Sequence, residues 1–223
     1  FRAANTSPLV NIMKPGIMGG SCLTKDPDFL IHGALRKGVV MGVSIAGREL
    51  NRRLPNYVVK LIKESMDRAS REISCSKVAV LGLAFKGKTD DTRESPVLRI
   101  ISLLNDMKFG SICVYDPYVS RGDADSASLK FDLVRDIRCA VQGASCIVIS
   151  TDHPQVVGAD FGELCRLAVQ PPIVVDAKGI LADRIDNAIQ SGIGFPIQDS
   201  DSHVRTSTRF NCSLYDDSSL GAG

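Results

Sequence analysis

Four short apolar runs, each followed by a helical stretch, constrain the fold of this 223-residue chain more than any other feature. They are Lys77-Val-Ala-Val-Leu-Gly-Leu83, Ser111–Tyr115, Ser145–Ser150 and Ile173–Asp176. Runs of this kind, without polar alternation, suit strands buried on both faces, as in parallel sheets. The stretches between them carry helix-start signals. The clearest is Ser95-Pro96, a serine N-cap with proline at the first helical position, which predicts a helix over Pro96–Met107. Further helices are predicted at about Leu133–Gln142, Phe161–Val169 and Asp183–Gln190. Such alternation implies βαβ units, and hence an α/β chain with a Rossmann-like parallel sheet over residues 74–198.

Upstream the pattern is helical. Residues 1–21 read as a turn-rich approach segment ending in Pro15-Gly-Ile-Met-Gly-Gly-Ser21. Asp26-Pro27 is a second cap-and-proline pair, predicting a helix from there to about Lys37, stopped by Gly38. A second helical region covers about Val40 to Ile73, in which Pro55 must begin a new helix or kink the old one. Val58, Ile62, Met66 and Ala69 share one face, with Lys60, Lys63, Glu64, Asp67 and Arg68 mostly on the other. That face lacks an obvious partner in so small a chain, so a homodimer through the helix at 56–72 is expected. The division is therefore an all-helical region, 1–73, and a Rossmann-like domain, 74–223. The Ser-, Asp- and Gly-rich tail after Gln198 is expected to be mobile.

Composition narrows the function classes. Twenty-seven Lys and Arg against 25 Asp and Glu leave a net charge of +2, too little for the footprint of a general nucleic-acid binder. The longest apolar run, around Gly38–Ala46, is half the length a membrane span needs, so neither nucleic acid nor membrane is an expected partner. The seven cysteines form no CxxC pair and have no His-rich neighbour, which argues against a structural zinc and for a reducing cytoplasm. The chain opens Phe-Arg-Ala-Ala-Asn without an initiator Met, so it is expected to be part of a longer protein.

Two places could carry chemistry. In an open α/β sheet, ligands bind beyond the carboxyl ends of the strands, at the topological switch point. There the loop Gly82–Ser95 offers Lys86, Lys88 and Arg93 just before a helix N-terminus, a setting that favours a diphosphate. It is not a GxGxxG loop. Asp90, Asp91 and Glu94 sit among the cations, so a solvated loop of cancelling charge is the competing reading. Cys22 follows Gly19-Gly20 and stands next to Lys25 and Asp26. Cations and helix N-termini favour thiolates, and glycines beside a nucleophile allow close approach of a substrate. Asp26 could then activate water against a covalent intermediate. Alternatively Cys22 packs in a turn and Asp26 caps its helix. His153, in Thr-Asp-His-Pro, reads as a loop histidine.

Gly19-Gly-Ser-Cys-Leu-Thr-Lys-Asp26 resembles the nucleophile motif of the UDP-glucose/GDP-mannose dehydrogenase family. Val78–Pro96 is similar to that family's second signature, at the start of its C-terminal nucleotide-sugar-binding domain. Tyr115-Asp-Pro-Tyr118, Thr151-Asp-His-Pro154 and Val175-Asp176 fall where the family has like segments. Asn11-Ile-Met-Lys-Pro-Gly16 looks closest to the branch that oxidises UDP-N-acetylhexosamines, with UDP-glucose oxidation as the alternative and a non-catalytic UDP-sugar-binding module as the rival from another class. The resemblance implies an NAD-dependent, two-step oxidation of a sugar C6 alcohol to a carboxylate through a Cys thioester. It implies Cys22 as nucleophile, Asp26 as helper of the hydrolytic water, and Lys25 beside nucleophile and cofactor. It places Gly19, Phe85, Lys86 and Lys178 on the UDP-sugar, and Arg93 toward NAD. Lys178 stands where an arginine is usual, keeping charge but losing the bidentate fork. Leu9 stands where many relatives carry an arginine. The family's N-terminal NAD-binding domain has no counterpart in these residues, so the chain alone is expected to be inactive.

Overall fold

The computed structural model of the protein describes residues 4–10, 12, 15–120, 129–181 and 184–198; the tail after Gln198 lies outside them. Two helices come first, α1 (Ser21–Leu35) and α2 (Gly42–Arg68). There follow β1 (Lys77–Leu81), α3 (Pro96–Asp106), β2 (Ser111–Tyr115), β3 (Asp132–Val134), α4 (Ile137–Val141) and β4 (Cys146–Ile149). The last elements are α5 (Pro154–Val157), α6 (Phe161–Leu167), β5 (Ile173–Asp176), β6 (Ile189–Gly192) and β7 (Phe195–Gln198).

The strands form one sheet in the order β3-β2-β1-β4-β5-β6-β7. All neighbours are parallel except β6 and β7, which close an antiparallel hairpin. The chain leaves β1 toward β2 on one side and returns to β4 on the other, so the switch point lies between β1 and β4. Alternate residues of each strand serve opposite faces. Val78, Val80, Val114, Val148 and Val175 pack under α2 and α3, while Ala79, Leu81, Ile147, Ile149 and Val174 pack under α4 and α6. Both faces are covered, which is why these strands carry no polar alternation.

The predicted α/β architecture is present, with four corrections. First, α1 begins at Ser21, five residues before Asp26-Pro27, because Gly20 (φ 94°) makes the turn into the helix and Thr24 Oγ1 donates to Gly20 O at 3.1 Å. Asp26 is therefore not an N-cap, and Pro27 sits inside the helix, where its missing N–H leaves only the Leu23 carbonyl without a helical donor. Second, α2 passes Pro55 as a single helix. Third, Asp132–Val134 is a strand where the predicted helix was to begin, and that helix shrinks to α4. Fourth, no helix forms over 184–190: Asp186 and Asn187 make a turn, Asn187 taking φ 57°, and β6 follows.

The apolar face at 56–72, expected to lack a partner and to form the dimer contact, instead finds its partner within the chain. Val58, Ile62 and Met66 are fully buried against α3 and the sheet, each burial stabilising by roughly 1.5–3 kcal/mol. Exposed apolar side chains cluster upstream, on α1, the link after it and the first half of α2: Phe29, Leu30, Val40, Val43 and Leu50. Among the described residues no helix is long and apolar enough to cross a membrane.

Candidate active site

Three loops meet beyond the carboxyl ends of β1, β2 and β4. The loop after β1 leaves through Gly82 (φ +105°), where a Cβ would stand 2.2 Å from Thr151 Cβ. From there, four consecutive residues after β4 hold it in order. Ser150 Oγ donates to the carbonyls of Leu81 (3.0 Å) and Gly82 (2.7 Å), and Thr151 Oγ1 to that of Ala84 (2.7 Å). Asp152 Oδ1 accepts from Gly87 N (2.9 Å), and His153 Nδ1 from Lys88 N (3.3 Å). Ser95 caps α3 as predicted, accepting from Val97 N and donating to Leu83 O at 2.7 Å.

Asp116, at the end of β2, is the other organiser. One oxygen accepts from Leu83 N (2.7 Å), Ala84 N (3.1 Å) and His153 Nε2 (3.0 Å); the other accepts from Tyr118 N (2.9 Å) and Val119 N (3.0 Å). Burial pushes its carboxyl up, but these donors together outweigh burial and hold it at about 2. In dinucleotide-binding Rossmann units an acidic residue beyond the glycine turn holds a ribose hydroxyl. Asp116 has no accessible surface and no oxygen to spare for one.

The segment before α1 lies across this end of the sheet as a strap. Ile17 N donates to Ala177 O at 3.0 Å, and Lys178 Nζ to Ile17 O at 3.4 Å. Asn51 Nδ2, from α2, holds Met18 O at 3.0 Å. A Cβ on Gly19 would come within 2.4 Å of Pro96 Cδ and 2.6 Å of Glu94 O. Gly20 N bonds Glu94 O at 3.2 Å, and a Cβ there would strike the Phe85 ring. The two glycines let the strap lie directly on the loop after β1. Arg48 then fixes α1 from α2, bonding Thr24 O and taking Asp28 through two nitrogen–oxygen contacts of 3.0 Å.

The sequence-derived residues divide into three sets. Cys22, Lys25 and Asp26 all fall in the first two turns of α1 and are exposed. Positions 22, 25 and 26 stand three and four residues apart, on one helical face. Gly19 touches the Phe85–Lys86 loop, with Lys86 Nζ 5.5 Å from the Phe85 ring centre. Lys178 stands between the strap and Asp152 Oδ1, 3.9 Å away. Arg93 is different. It forks onto Asp91 at 3.0 and 2.7 Å, so its charge is paired within the loop, as the cancelling-charge reading expected, while its side chain stays exposed; Asp91 is held below its usual carboxylate range by that guanidinium.

Sequence reasoning missed Asp116, Asp152 and His153 as organisers, and Arg48 and Asn51 as anchors of the strap and α1. A signal existed for the first three, since each lies just past a predicted strand end. For Arg48 and Asn51 there was none, because their partners, Asp28 and the carbonyls of Thr24 and Met18, lie 20 to 33 residues away in the sequence. A whole NAD does not fit these residues: the turn after β1 lacks the glycine pattern, Asp116 is occupied, and Lys25 and Arg93 offer one charged edge.

Comparison with known proteins agrees with this geometry. Residues 79–183 match the UDP-glucose/GDP-mannose dehydrogenase family, UDP binding domain. UDP-N-acetyl-D-mannosamine dehydrogenase of Pyrococcus horikoshii is 37% identical over 193 residues, covering 86% of this chain and 42% of that protein. NDP-N-acetyl-D-galactosaminuronic acid dehydrogenase of Ralstonia nicotianae is 30% identical over 178 residues, covering 79% of this chain and 38% of that protein. A solved structure of the Pyrococcus horikoshii UDP-D-ManNAc dehydrogenase superposes with a TM-score of 0.71 at 36% identity, over 86% of this chain and 43% of that one. The chain thus spans about two fifths of the length of the relatives it matches. In sequence and in fold, the chain belongs to the UDP-glucose/GDP-mannose dehydrogenase family, its sheet domain matching the family's UDP-binding C-terminal domain.

Proposed function

We propose that this chain is the nucleophile-bearing and UDP-sugar-binding part of an NAD-dependent dehydrogenase that oxidises C6 of a UDP-N-acetylhexosamine to the uronic acid through a thioester on Cys22. The observation that carries the reading is the seating of the Gly19-Gly20 strap on the Phe85 loop through Gly20 N and Glu94 O. It ties the nucleophile's helix to the loop suited to a diphosphate. The relatives named above, dehydrogenases of N-acetylated nucleotide sugars, favour an N-acetylated sugar.

In this reading residues 74–223 hold the UDP on Phe85, Lys86 and Lys178, and residues 1–73 carry the sugar over Gly19 to Cys22. The thiolate of Cys22 adds to the C6 aldehyde, its sulfur forming the new bond while the carbonyl oxygen takes a proton. Asp26, one turn along the same helix, accepts a proton from the water that later cleaves the thioester. NAD, when bound, would supply the hydride acceptor for both oxidations. Its main site belongs to the remainder of the longer protein, with Lys25 and Arg93 facing it. The reducing cytoplasm is the compartment that keeps such a thiol free.

Isothermal titration of the 223-residue chain tests the binding half. UDP should bind saturably, Lys178→Ala should weaken it about tenfold or more through loss of a charged donor, and NAD alone should give no saturable heat. Tight NAD binding without UDP affinity would reverse the assignment.

A homodimer through the helical region belongs to the same reading. Its support is the exposed apolar set on α1 and the first half of α2, with Val43 91% and Phe29 73% exposed. Light scattering at micromolar concentration should give twice the monomer mass; a monomer there would remove the dimer.

A further inference from the structure

We propose that His153 is a positioning residue for the nucleotide loop, setting the place of Phe85 and Lys86 by bridging Asp116 to the backbone of Lys88. The inference rests on the nucleotide-binding reading above and goes beyond it by naming a buried residue that touches no ligand. His153 has no accessible surface. Lys88 N is a donor, so Nδ1 carries the lone pair, and the proton stands on Nε2, facing Asp116 Oδ2 at 3.0 Å. Both partners demand the same neutral tautomer. The ring of half-exposed Tyr118 lies 5.1 Å away and closes the outer side.

The loop between these anchors is short. Ala84 is bound through its N–H to Asp116 and through its carbonyl to Thr151, Phe85 N donates to Asp91 O at 3.2 Å, and beyond them the next fixed backbone groups are Gly87 N and Lys88 N. Phe85 and Lys86 are the two residues spanned. Lys88 itself holds φ 62°, a conformation that L side chains disfavour and that its surroundings must maintain. Without the bond to His153, the span past Lys86 keeps only the contact from the half-exposed Asp152. A diphosphate that meets Lys86 would then meet a looser group, although no ligand contact has been removed.

Two substitutions separate the two halves of the bridge. Asn reproduces the Nδ1 acceptor but does not reach Asp116; Gln reproduces the Nε2 donor but offers nothing to Lys88 N. In the full 223-residue chain, H153N should keep UDP affinity within about threefold of the parent, whereas H153Q should lose about three- to tenfold, the size of one hydrogen bond. Hydrogen exchange at the Gly87 and Lys88 amides should accelerate in H153Q and recover in H153N, while melting temperature drops in both. Affinity that follows melting temperature, or exchange unchanged in H153Q, would overturn the positioning role. If the parent itself does not bind UDP, the nucleotide reading falls. The exchange pattern then decides the tether by itself.

Discussion

Cys22→Ser, made in a protein that carries the remainder of the dehydrogenase, should lower acid formation by on the order of 10⁴-fold or more, the range seen when a covalent nucleophile is lost. The two side chains are nearly the same size, and Cys22 is exposed in the first turn of α1, so the fold should not notice the change. What changes is the supply of nucleophile. A thiol yields some thiolate near neutral pH, whereas a serine hydroxyl yields almost no alkoxide unless a base removes its proton. Asp26 shares the helical face, but in the proposed reading it serves the hydrolytic water and does not deprotonate an alcohol. Circular dichroism should overlay the parent, and product analysis should show aldehyde-level sugar in trace and no acid. Turnover near the parent level would return Cys22 to a solvated helix position.

The largest structural effect is expected at Asp116. Its replacement by Ala strips partners from four backbone N–H groups and from His153 at once. Removing one member of a buried, hydrogen-bonded charged cluster costs about 3–5 kcal/mol, or a fall in Tm of about 10 °C for a chain of this length. Asp116→Asn should recover little, because its amide would turn an N–H toward another N–H. The same carboxyl sets an acid limit. Its native value of about 2 lies below the ordinary 3.8, so the native state binds fewer protons between the two. Its contribution, about 2 kcal/mol, is complete above pH ~4 and lost as pH falls toward 2. Asp176, raised by burial, works in the opposite sense and offsets part of the loss. Melts of parent and variant from pH 6 to 2 should converge as the pH drops; parallel curves would show that Asp116 is not the group responsible.

The parts of the fold legible in sequence were those whose residue types leave no choice. β1, β2, β4 and β5 are apolar on both faces because both faces are covered, and Ser95-Pro96 can only open a helix. β6 was missed for the converse reason. Ile189-Gln-Ser-Gly192 is fully buried yet largely polar, Gln190 turning its side-chain oxygen to Ile185 N at 3.1 Å, so the strand carries no apolar run. β3 is a three-residue edge strand, too short for any period. The start of α1 was misread because Asp26-Pro27 satisfies the cap rule so well, while the true signal, a positive φ at Gly20, is a conformation and not a composition. In the site, Gly19, Phe85, Lys86 and Lys178 came from the motifs. The Asp116–His153 pair depends on β2 and β4 lying on either side of β1, which only strand order supplies.

The strap joins residue 17 to residues 177 and 178, a separation of 161 positions for the Lys178 contact. Contacts that distant in sequence form late, because the intervening loop must be closed before they repay its entropy. Cys22 is synthesised well before Ala177 and Lys178, the residues that anchor the segment leading into its helix. Until β5 has joined the sheet, Ala177 offers no carbonyl to Ile17 and the helix carrying Cys22 is without its floor. The order of synthesis therefore leaves the start of α1 unseated until the carboxyl half of the sheet has been made.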